Sequence, residues 1–401
     1  MAIDRDWQTL EKHLYMQTGK RLPIVLVRGE GTRVWDANGN EYLDFLAGIA
    51  VNVLGHSHPV VVHALEDQAR KLIHVSNYFY TTPQIELAEL LTESTGLDRV
   101  FFCNSGAEAV EGALKLARKW GKVRKGGAFE VIATVGGFHG RTMGALAATG
   151  TVKYRTPFEP LPPGFFHVPY NDLDAIKAAT TPRTCAIIVE AVQGEAGVIV
   201  PDDDYLPGLR QWCDRNGILL IVDEVQTGVG RTGRLFGWQL TGARPDIMTV
   251  AKGLGGGVPI GAFLAREEVA SAFDPGDHGT TFGGNPLATA VGFAVLSHVI
   301  EHDLPDEAAS KGRRFISGLR SIEDRHPGIS EVRGRGLMVA MELDSEVADE
   351  LSSDLLGRGL IANAIRPTTV RFLPPLTVTE RELDRALGII EDALHARAKR
   401  G

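Results

Sequence analysis

The sequence predicts an α/β protein in which helices wrap a mostly parallel sheet and a smaller α+β unit completes the chain. Three observations lead to this prediction. Short apolar runs alternate with helical patterns through the middle of the chain, as in strands buried on both faces. The 401 residues exceed the roughly 250–300 that one hydrophobic core usually serves. The hydrophobic and charged fractions, 44% and 23%, are those of an ordinary globular chain.

The N-terminal part predicts a short helix and a small antiparallel meander. Residues 5–17 have a helical pattern, and IVLVRGEGTRVWDANGNEYLDF contains two or three short strands separated by the turn signals GEG and NGN. From about residue 59 the pattern changes to that of a larger unit. Its predicted elements are helices at 58–73 and 83–95, the run RVFFC, a helix from Ala107 to Lys122, and the runs FEVIAT, TCAIIVE, GILLIVDE, DIMTVA and AFLA.

The segment after Pro286 predicts the smaller α+β unit. Its patterns, in order, are a helix to about residue 301, a helix at 306–326, the run VRGRGLMVAMEL, a helix at 345–358, the strand VRFLP and a helix from Thr379. We therefore predict a large domain at 60–300 and a small domain formed by 1–59 together with 301–401.

Charge and cysteine content argue against several classes of function. The chain has 42 Lys plus Arg against 50 Asp plus Glu, and no block collects the basic residues, which disfavours nucleic-acid or anionic-membrane partners. Its three cysteines form no CxxC pair, so neither a disulfide framework nor a zinc knuckle is predicted. With no signal-like start and no apolar stretch long enough to span a bilayer, we expect a soluble, cytoplasmic protein.

Glycine is the one residue type in excess, with 46 glycines beside 20 prolines in 401 residues. Four of them fall among residues 253–257, directly after Lys252 at the end of the run DIMTVA. A lysine there ordinarily reaches the surface, but the glycines would also leave room for a bulky planar group bonded to its amine. Burial lowers the pKa of a lysine, and the neutral amine is a nucleophile toward carbonyl groups.

Polar residues at three other strand ends are candidates, because ligands bind at the carboxyl ends of strands in α/β sheets. Asp223 ends GILLIV and is either a cap or a buried carboxylate with a cationic partner. Ser105-Gly106-Ala107 lies between a strand and a helix, where it either binds a phosphate or only caps the helix. Phe138, His139 and Arg141 follow FEVIATV and suit stacking on a planar ligand and a carboxylate contact. Taken one at a time, they are also explained by core packing, a capped turn and a surface ion pair, respectively.

Two motifs are weighed and set aside. Residues 228–233 match GxGxxG, but the match begins after the strand end and no clean helix follows, which disfavours a dinucleotide site. His56 and His58 resemble a pair of metal ligands without a nearby third, and a helix cap before Pro59 is favoured. No metal site and no GxSxG esterase elbow are predicted.

Together these blocks resemble the class III (subgroup II) aminotransferases, pyridoxal phosphate enzymes of fold type I, whose core is a mostly parallel sheet of seven strands. The resemblance rests on LLIVDEVQTGVGRTGRLFGWQLTGARPDIMTVAKGLGGG and extends over nearly the whole chain. Further blocks are VWDANGNEYLDFLAGIAVNVLGHSHP, FFCNSGAEAVEGALKLAR, GGFHGRT, VEAVQGEAGV and HGTTFGGNPLA.

The resemblance implies a role for each candidate. Lys252 would hold the cofactor covalently and move the proton, and Asp223 would pair with the pyridinium nitrogen. The remaining cofactor-binding residues it implies are Ser105, Gly106 and Ala107 at the phosphate, Phe138 and His139 at the ring, Gln226 at the phenolic oxygen, and Thr281 reaching the phosphate in the neighbouring subunit. It thereby implies a homodimer with shared active sites.

For substrates, the resemblance implies that Arg141 and Arg371 bind carboxylates and that Glu195 pairs with Arg371 when the substrate has only one. Within the family, LAGIAVNVLGHSHP is most similar to the branch that transfers the side-chain amine of N2-acetyl-L-ornithine to 2-oxoglutarate. Ile49 stands where ornithine aminotransferases carry tyrosine, and segments 74–82 and 15–21 are candidates for the acyl pocket.

Three alternatives stay open. One is another ω-aminotransferase of the class, acting on succinylornithine, ornithine or 4-aminobutyrate. A second is a pyridoxal phosphate aminomutase, which would turn over without 2-oxoglutarate. The third, from another class, is a nicotinamide oxidoreductase that uses residues 228–233.

Overall fold

The computed structural model describes residues 6–398. Outside this range lie residues 1–5 and 399–401 of the predicted small domain. The first residue of the predicted N-terminal helix, residue 5, is among them. The strands are β1 (Leu26–Glu30), β2 (Arg33–Asp36), β3 (Glu41–Asp44), β4 (Arg99–Cys103), β5 (Glu130–Thr134), β6 (Phe165–Val168), β7 (Thr184–Glu190), β8 (Leu219–Asp223), β9 (Ile247–Val250), β10 (Gly261–Ala265), β11 (Ile329–Arg335), β12 (Met338–Leu343), β13 (Leu360–Ile361), β14 (Asn363–Arg366) and β15 (Thr369–Phe372).

The helices whose bounds the sequence predicts agree with the structure to within a few residues at each end, and within residues 6–398 six further α-helices have no predicted bounds. In chain order, the helices are α1 (Trp7–Leu14), the single turn α2 (Ala47–Ala50), α3 (Pro59–Lys71), α4 (Thr82–Thr95), α5 (Gly106–Arg124), α6 (Met143–Ala148), α7 (Val152–Arg155), α8 (Leu173–Ala179), α9 (Tyr205–Asn216), α10 (Glu267–Ala270), α11 (Pro286–Glu301), α12 (Leu304–Glu323), α13 (Ala348–Gly357) and α14 (Glu380–Ala398). Among the described residues, no helix is both long and apolar enough to cross a membrane.

The central sheet has seven strands in the order β4-β10-β9-β8-β7-β5-β6. The pairs from β9 to β6 are parallel, whereas β10 runs antiparallel to both β9 and β4. The predicted mostly parallel sheet is therefore confirmed, with one strand reversed. The reason is that only residues 251–260 connect β9 to β10, which is too short for the crossover that a parallel pair requires.

The strands of this sheet are buried on both faces, as their continuous apolar runs predict. Along β8, Leu220 and Val222 belong to one hydrophobic cluster, while Leu219 and Ile221 belong to the cluster on the other face. The edge strand β6 was not foreseen, and its first three residues are only partly buried or exposed. Helices on both sides complete the layers.

Two smaller sheets carry the terminal parts of the chain. One has the order β1-β2-β3-β13 and the other β11-β12-β15-β14. Strand β13 pairs in parallel with β3, where Leu360 faces Leu43. The N-terminal meander and the C-terminal segment thus share a sheet, while the limits chosen for the two domains stay a prediction.

The two motifs that were set aside have structural roles. The ring Nδ1 of His58 accepts from the backbone N–H of Val60 at 3.4 Å and caps α3, as predicted. In the GxGxxG segment, the buried Arg231 donates to the carbonyl oxygens of Leu337 and Pro374 at 3.0 and 2.5 Å. This loop therefore joins the region after β8 to the C-terminal sheet.

Candidate active site

The carboxyl ends of β4, β5, β7, β8 and the segment after β9 open into one cavity of about 420 Å³. The cavity forms there because these strands all run in the same direction and end at one edge of the sheet. Most residues predicted for the site line it, namely Ser105, Gly106, Ala107, Phe138, His139, Arg141, Asp223, Gln226 and Lys252. Glu195 and Arg371 lie next to Gln226, as described below.

Asp223 is held in one orientation at the floor of the cavity. Its Oδ1 accepts from the hydroxyl of Thr249 at 2.9 Å, and its Oδ2 lies 2.8 Å from Nδ1 of His139. Burial opposes a charge on His139, but the hydrogen bond and the charge of Asp223 outweigh burial and raise the pKa of the imidazole. The carboxylate is thus fixed by two partners and lines the cavity, where it can meet a cationic ligand group.

Lys252 follows β9 by two residues and has a strained backbone. Its φ of +41° lies in the left-handed region, which non-glycine residues seldom adopt and which tends to occur at functional sites. Burial of its amine lowers the pKa to about 8, so a substantial fraction is neutral near pH 8. No ion pair or hydrogen bond within residues 6–398 engages this amine.

Two of the glycines after Lys252 do not leave room around its amine, as the sequence predicts, but allow other side chains to pack closely. A Cβ on Gly253 would lie 2.7 Å from Cγ1 of Val53, and one on Gly255 would lie 2.8 Å from Cγ2 of Ile260. These two glycines therefore allow side chains from other segments of the same chain to pack against the backbone. The expectation that they clear room around the amine is wrong for these positions, because the space they leave is already filled by valine and isoleucine.

Glu190 is a cavity residue that sequence reasoning missed. It is the last residue of β7, in register with Asp223 at the end of β8. Its two oxygens accept from the backbone N–H groups of Phe138 and Gly194, each at 3.0 Å. Burial raises its pKa to about 7. The sequence does contain a signal for this residue: the apolar run TCAIIVE ends in a carboxylate, just as GILLIVD ends in Asp223.

The turn from β4 into α5 has the form of a phosphate site. The hydroxyl of Ser105 accepts from the N–H of Glu108 at 3.2 Å, so the first two N–H groups of the helix, at Gly106 and Ala107, remain for a ligand. A Cβ on Gly106 would lie 2.7 Å from Cγ1 of Val225. Glycine is required because the turn packs closely against the segment that follows Asp223.

Arg371 enters from the C-terminal sheet, on β15. It is fully buried, and its Nη1 donates to Oε1 of Glu195 at 2.6 Å and to Oε1 of Gln226 at 3.0 Å. Burial alone would raise the pKa of Glu195, but the Arg371 guanidinium outweighs burial and lowers it, so the carboxylate is ionised at neutral pH. Nη2 of Arg371 has no hydrogen-bond partner among the described residues, which leaves a donor for another carboxylate.

Arg141 and Thr281 occupy more open positions. The Arg141 guanidinium lies 3.7 Å from the ring centre of Tyr154 and 5.5 Å from that of Phe138. Both Arg141 and Thr281 are exposed, but only Arg141 lines the cavity. Thr281 is therefore the one predicted site residue that a single chain leaves outside the cavity and its neighbouring ion pair.

Comparison with known proteins identifies the family. The model of the family described as "Aminotransferase class-III" matches residues 15–394. An acetylornithine aminotransferase of Methanopyrus kandleri is 53% identical over 98% of this chain and 99% of its own. One of Caldanaerobacter subterraneus is 51% identical over 96% and 98%, respectively.

The solved structures agree with this family. An ornithine aminotransferase of Toxoplasma gondii matches 99% of this chain and 96% of its own with a TM-score of 0.95 and 38% identity. These matches confirm the predicted α/β fold of type I and the pyridoxal phosphate dependence that comes with it. The chain belongs to the class-III aminotransferases.

Proposed function

We propose that the protein transfers the side-chain amino group of N2-acetyl-L-ornithine to 2-oxoglutarate. The products are N-acetyl-L-glutamate 5-semialdehyde and L-glutamate, and the reaction belongs to arginine biosynthesis. The observation that carries the proposal is the ion pair between Glu195 and the buried Arg371 beside the cavity, with Arg141 as a second, exposed cation. The relatives that are 51% and 53% identical, both named acetylornithine aminotransferase, support the choice of amino donor.

The residues at the cavity fit pyridoxal phosphate. The free N–H groups at the start of α5 suit its phosphate, the carboxyl group of Asp223 suits its pyridinium nitrogen, and the Lys252 amine suits its aldehyde. Phe138 would pack on the ring, and Gln226 would donate to its phenolic oxygen. When bound, this cofactor supplies an electron sink that stabilises the carbanion of the reacting substrate carbon.

Lys252 is the group that moves the proton. Its pKa of about 8 lies near neutrality, so the amine takes a proton from the substrate carbon and returns it without a large energetic cost in either direction. Asp223 acts on the pyridinium nitrogen, and its contacts with Thr249 and His139 hold the carboxylate in place. Glu190 positions the backbone of Phe138, because it accepts from the N–H of that residue.

One pocket serves two substrates through Glu195. With acetylornithine, which has one carboxylate, Glu195 neutralises Arg371 and the substrate carboxylate pairs with Arg141. With 2-oxoglutarate or glutamate, Glu195 releases Arg371, and the guanidinium binds the second carboxylate. The partly exposed side chain of Glu195 and the unpartnered Nη2 of Arg371 support this exchange.

We further infer a homodimer with shared sites. Several large apolar side chains are exposed on one chain between residues 72 and 85 and at Phe282: Leu72, Ile73, Tyr78, Phe79, Tyr80, Ile85 and Phe282. The side chain of Asn77 donates to the carbonyl oxygens of Thr280 and Gly283, so this surface is fastened to the segment that carries Thr281. A second chain covering the surface would bring Thr281 to a neighbouring phosphate site. The predicted cytoplasmic location is part of the same proposal and agrees with three free, buried cysteines.

A panel of amino donors with 2-oxoglutarate as the acceptor tests the proposed reaction. N2-acetylornithine should give the highest kcat/KM, above succinylornithine, ornithine and 4-aminobutyrate. A higher value for any of the other three would reassign the donor. Turnover of an amino substrate without 2-oxoglutarate would favour an aminomutase instead.

A further inference from the structure

We propose that His326, Glu391 and His395 form a binding site for one divalent transition-metal ion of the zinc type. The three residues lie in the C-terminal part of the chain, and none of them lines the catalytic cavity. His326 lies in the turn between α12 and β11, while Glu391 and His395 lie on α14. The sequence predicted no metal site, because the histidine from the turn is more than sixty positions away from the pair on the helix.

The geometry brings one ligand atom of each residue into a small volume. The three atoms all lie within 4.8 Å of one another, and Nε2 of His326 is 3.9 Å from Oε1 of Glu391. Glu391 and His395 are four residues apart, so their side chains project from the same face of α14. The His326 and His395 rings have centroids 4.3 Å apart and are inclined at 74°. Modest side-chain rotations would direct all three atoms toward one point.

The burial of His326 is a second observation that points to a ligand. It is only 7% exposed, and its Nε2 has no hydrogen-bond partner in the described part of the chain. A buried polar atom without a partner is unfavourable, and a bound ion would satisfy it.

The ligand set selects the class of ion. Two imidazole nitrogens and one carboxylate oxygen are typical ligands of Zn²⁺, at about 2.0–2.2 Å in a tetrahedral arrangement that leaves one position for water. Arg325 now balances the charge of Glu391, with its Nη2 at 2.8 Å from Oε1. Because the Arg325 side chain is 54% exposed, it can withdraw into solvent when an ion takes over its charge.

The site would have a structural consequence. An ion held by both elements would tie the final helix α14 to the turn that precedes β11. Because the ion binds the folded chain in preference to the unfolded one, the midpoint of thermal unfolding should rise with the metal concentration.

The test uses the holoenzyme after treatment with a chelator and removal of the chelator. Zn²⁺ is titrated by calorimetry into the wild type, His395→Ala, Glu391→Gln and the control His63→Ala, which removes an exposed histidine of α3. Wild type and the control should bind one tight ion per chain and show a higher unfolding temperature with Zn²⁺. His395→Ala and Glu391→Gln should each lose at least about tenfold in affinity and lose the temperature rise.

Two results would overturn the site. One is a wild type without a tight zinc ion, and the other is an equal affinity in His395→Ala and in His63→Ala. Because His395 is exposed, its replacement should leave the unfolding temperature without metal unchanged, which separates loss of the ion from loss of the fold.

Discussion

Charged residues lie at both ends of strands β8 and β9, but their partners differ between the two ends. At the amino end, the fully buried Asp246 forms ion pairs with Arg210 and Arg266 and accepts from the backbone N–H of Leu220 at 2.7 Å. At the carboxyl end, Asp223 faces an open cavity and Lys252 has no ion-pair partner in residues 6–398. Charges at the first end are balanced by the protein itself, whereas those at the second are available to a ligand.

This contrast separates stabilising from catalytic charges, although both ends contain buried groups. At the amino end the arginines have further acidic neighbours, with Asp214 at 2.8 Å from Arg210 and Glu268 at 2.7 Å from Arg266. At the carboxyl end, burial lowers the pKa of Lys252 to about 8 and raises that of Glu190 to about 7. Substitutions at the two ends should therefore change different measurable quantities.

The largest effect is expected for Lys252→Ala. The variant loses both the covalent attachment and the proton transfer, so kcat should fall by at least about 10⁴-fold and the visible absorption of the bound cofactor should shift or disappear. The unfolding temperature of the cofactor-free form should not fall. Lys177→Ala, at an exposed lysine, serves as the control with unchanged activity. Substantial turnover by Lys252→Ala would remove the lysine from the mechanism.

Asp223→Asn should cost about 10²–10³-fold in kcat, because a neutral amide no longer stabilises the charge on the cofactor ring. The side chain keeps its shape and can still hydrogen-bond to Thr249, so the change in unfolding temperature should be small. Steady-state kinetics and thermal unfolding of the same preparation measure both quantities. A variant that unfolds readily but retains kcat would mean that Asp223 is a structural residue like Asp246.

Asp246→Asn should show the opposite pattern. The two arginines would lose their buried partner but each keep an exposed acidic neighbour, so the free energy of unfolding should fall by about 1–3 kcal/mol. Below the unfolding temperature, kcat should stay within about twofold of the wild type. Denaturant titration and kinetics at low temperature check this. Loss of kcat in the folded variant would show that the amino end contributes to catalysis.

Glu195→Gln should change the choice of substrate more than the overall rate. The glutamine cannot neutralise Arg371, so the ratio of half-reaction kcat/KM for acetylornithine over glutamate should fall on the order of tenfold. Glu331→Gln, at an exposed glutamate paired with Arg333, is the matched control. An unchanged ratio in Glu195→Gln would contradict the proposed exchange of ion pairs.

The smallest expected effect is a pH dependence. Because the pKa of Lys252 is lowered to about 8, its neutral fraction grows as the pH rises through this value. The rate at which the cofactor-free enzyme captures pyridoxal phosphate should increase about fivefold from pH 7 to pH 8 and level off above about pH 9. A rate that keeps rising to pH 10 would indicate an ordinary, solvated lysine. Stopped-flow absorbance measures the rate.

The sequence predicted much of the fold, because continuous apolar runs and helical periods are local patterns. It did not predict that β10 is antiparallel, since an apolar run contains no information on direction. It also overlooked Glu190, although the rule that selected Asp223 applies to it, and it misjudged Gly253 and Gly255, whose packing partners come from other parts of the chain. Only resemblance brought Glu195 and Arg371 together, because they are 176 positions apart.

By itself, the sequence determined which residue types stand at the strand ends, and so the chemistry that is available to the protein. Only the tertiary structure decided which of these ends share a cavity and which charges remain unpaired. The physical reason is that the pKa of Lys252 and the ion pair of Arg371 depend on burial and on neighbours contributed by distant segments. Those neighbours are set by strand register and sheet order, which no local pattern records.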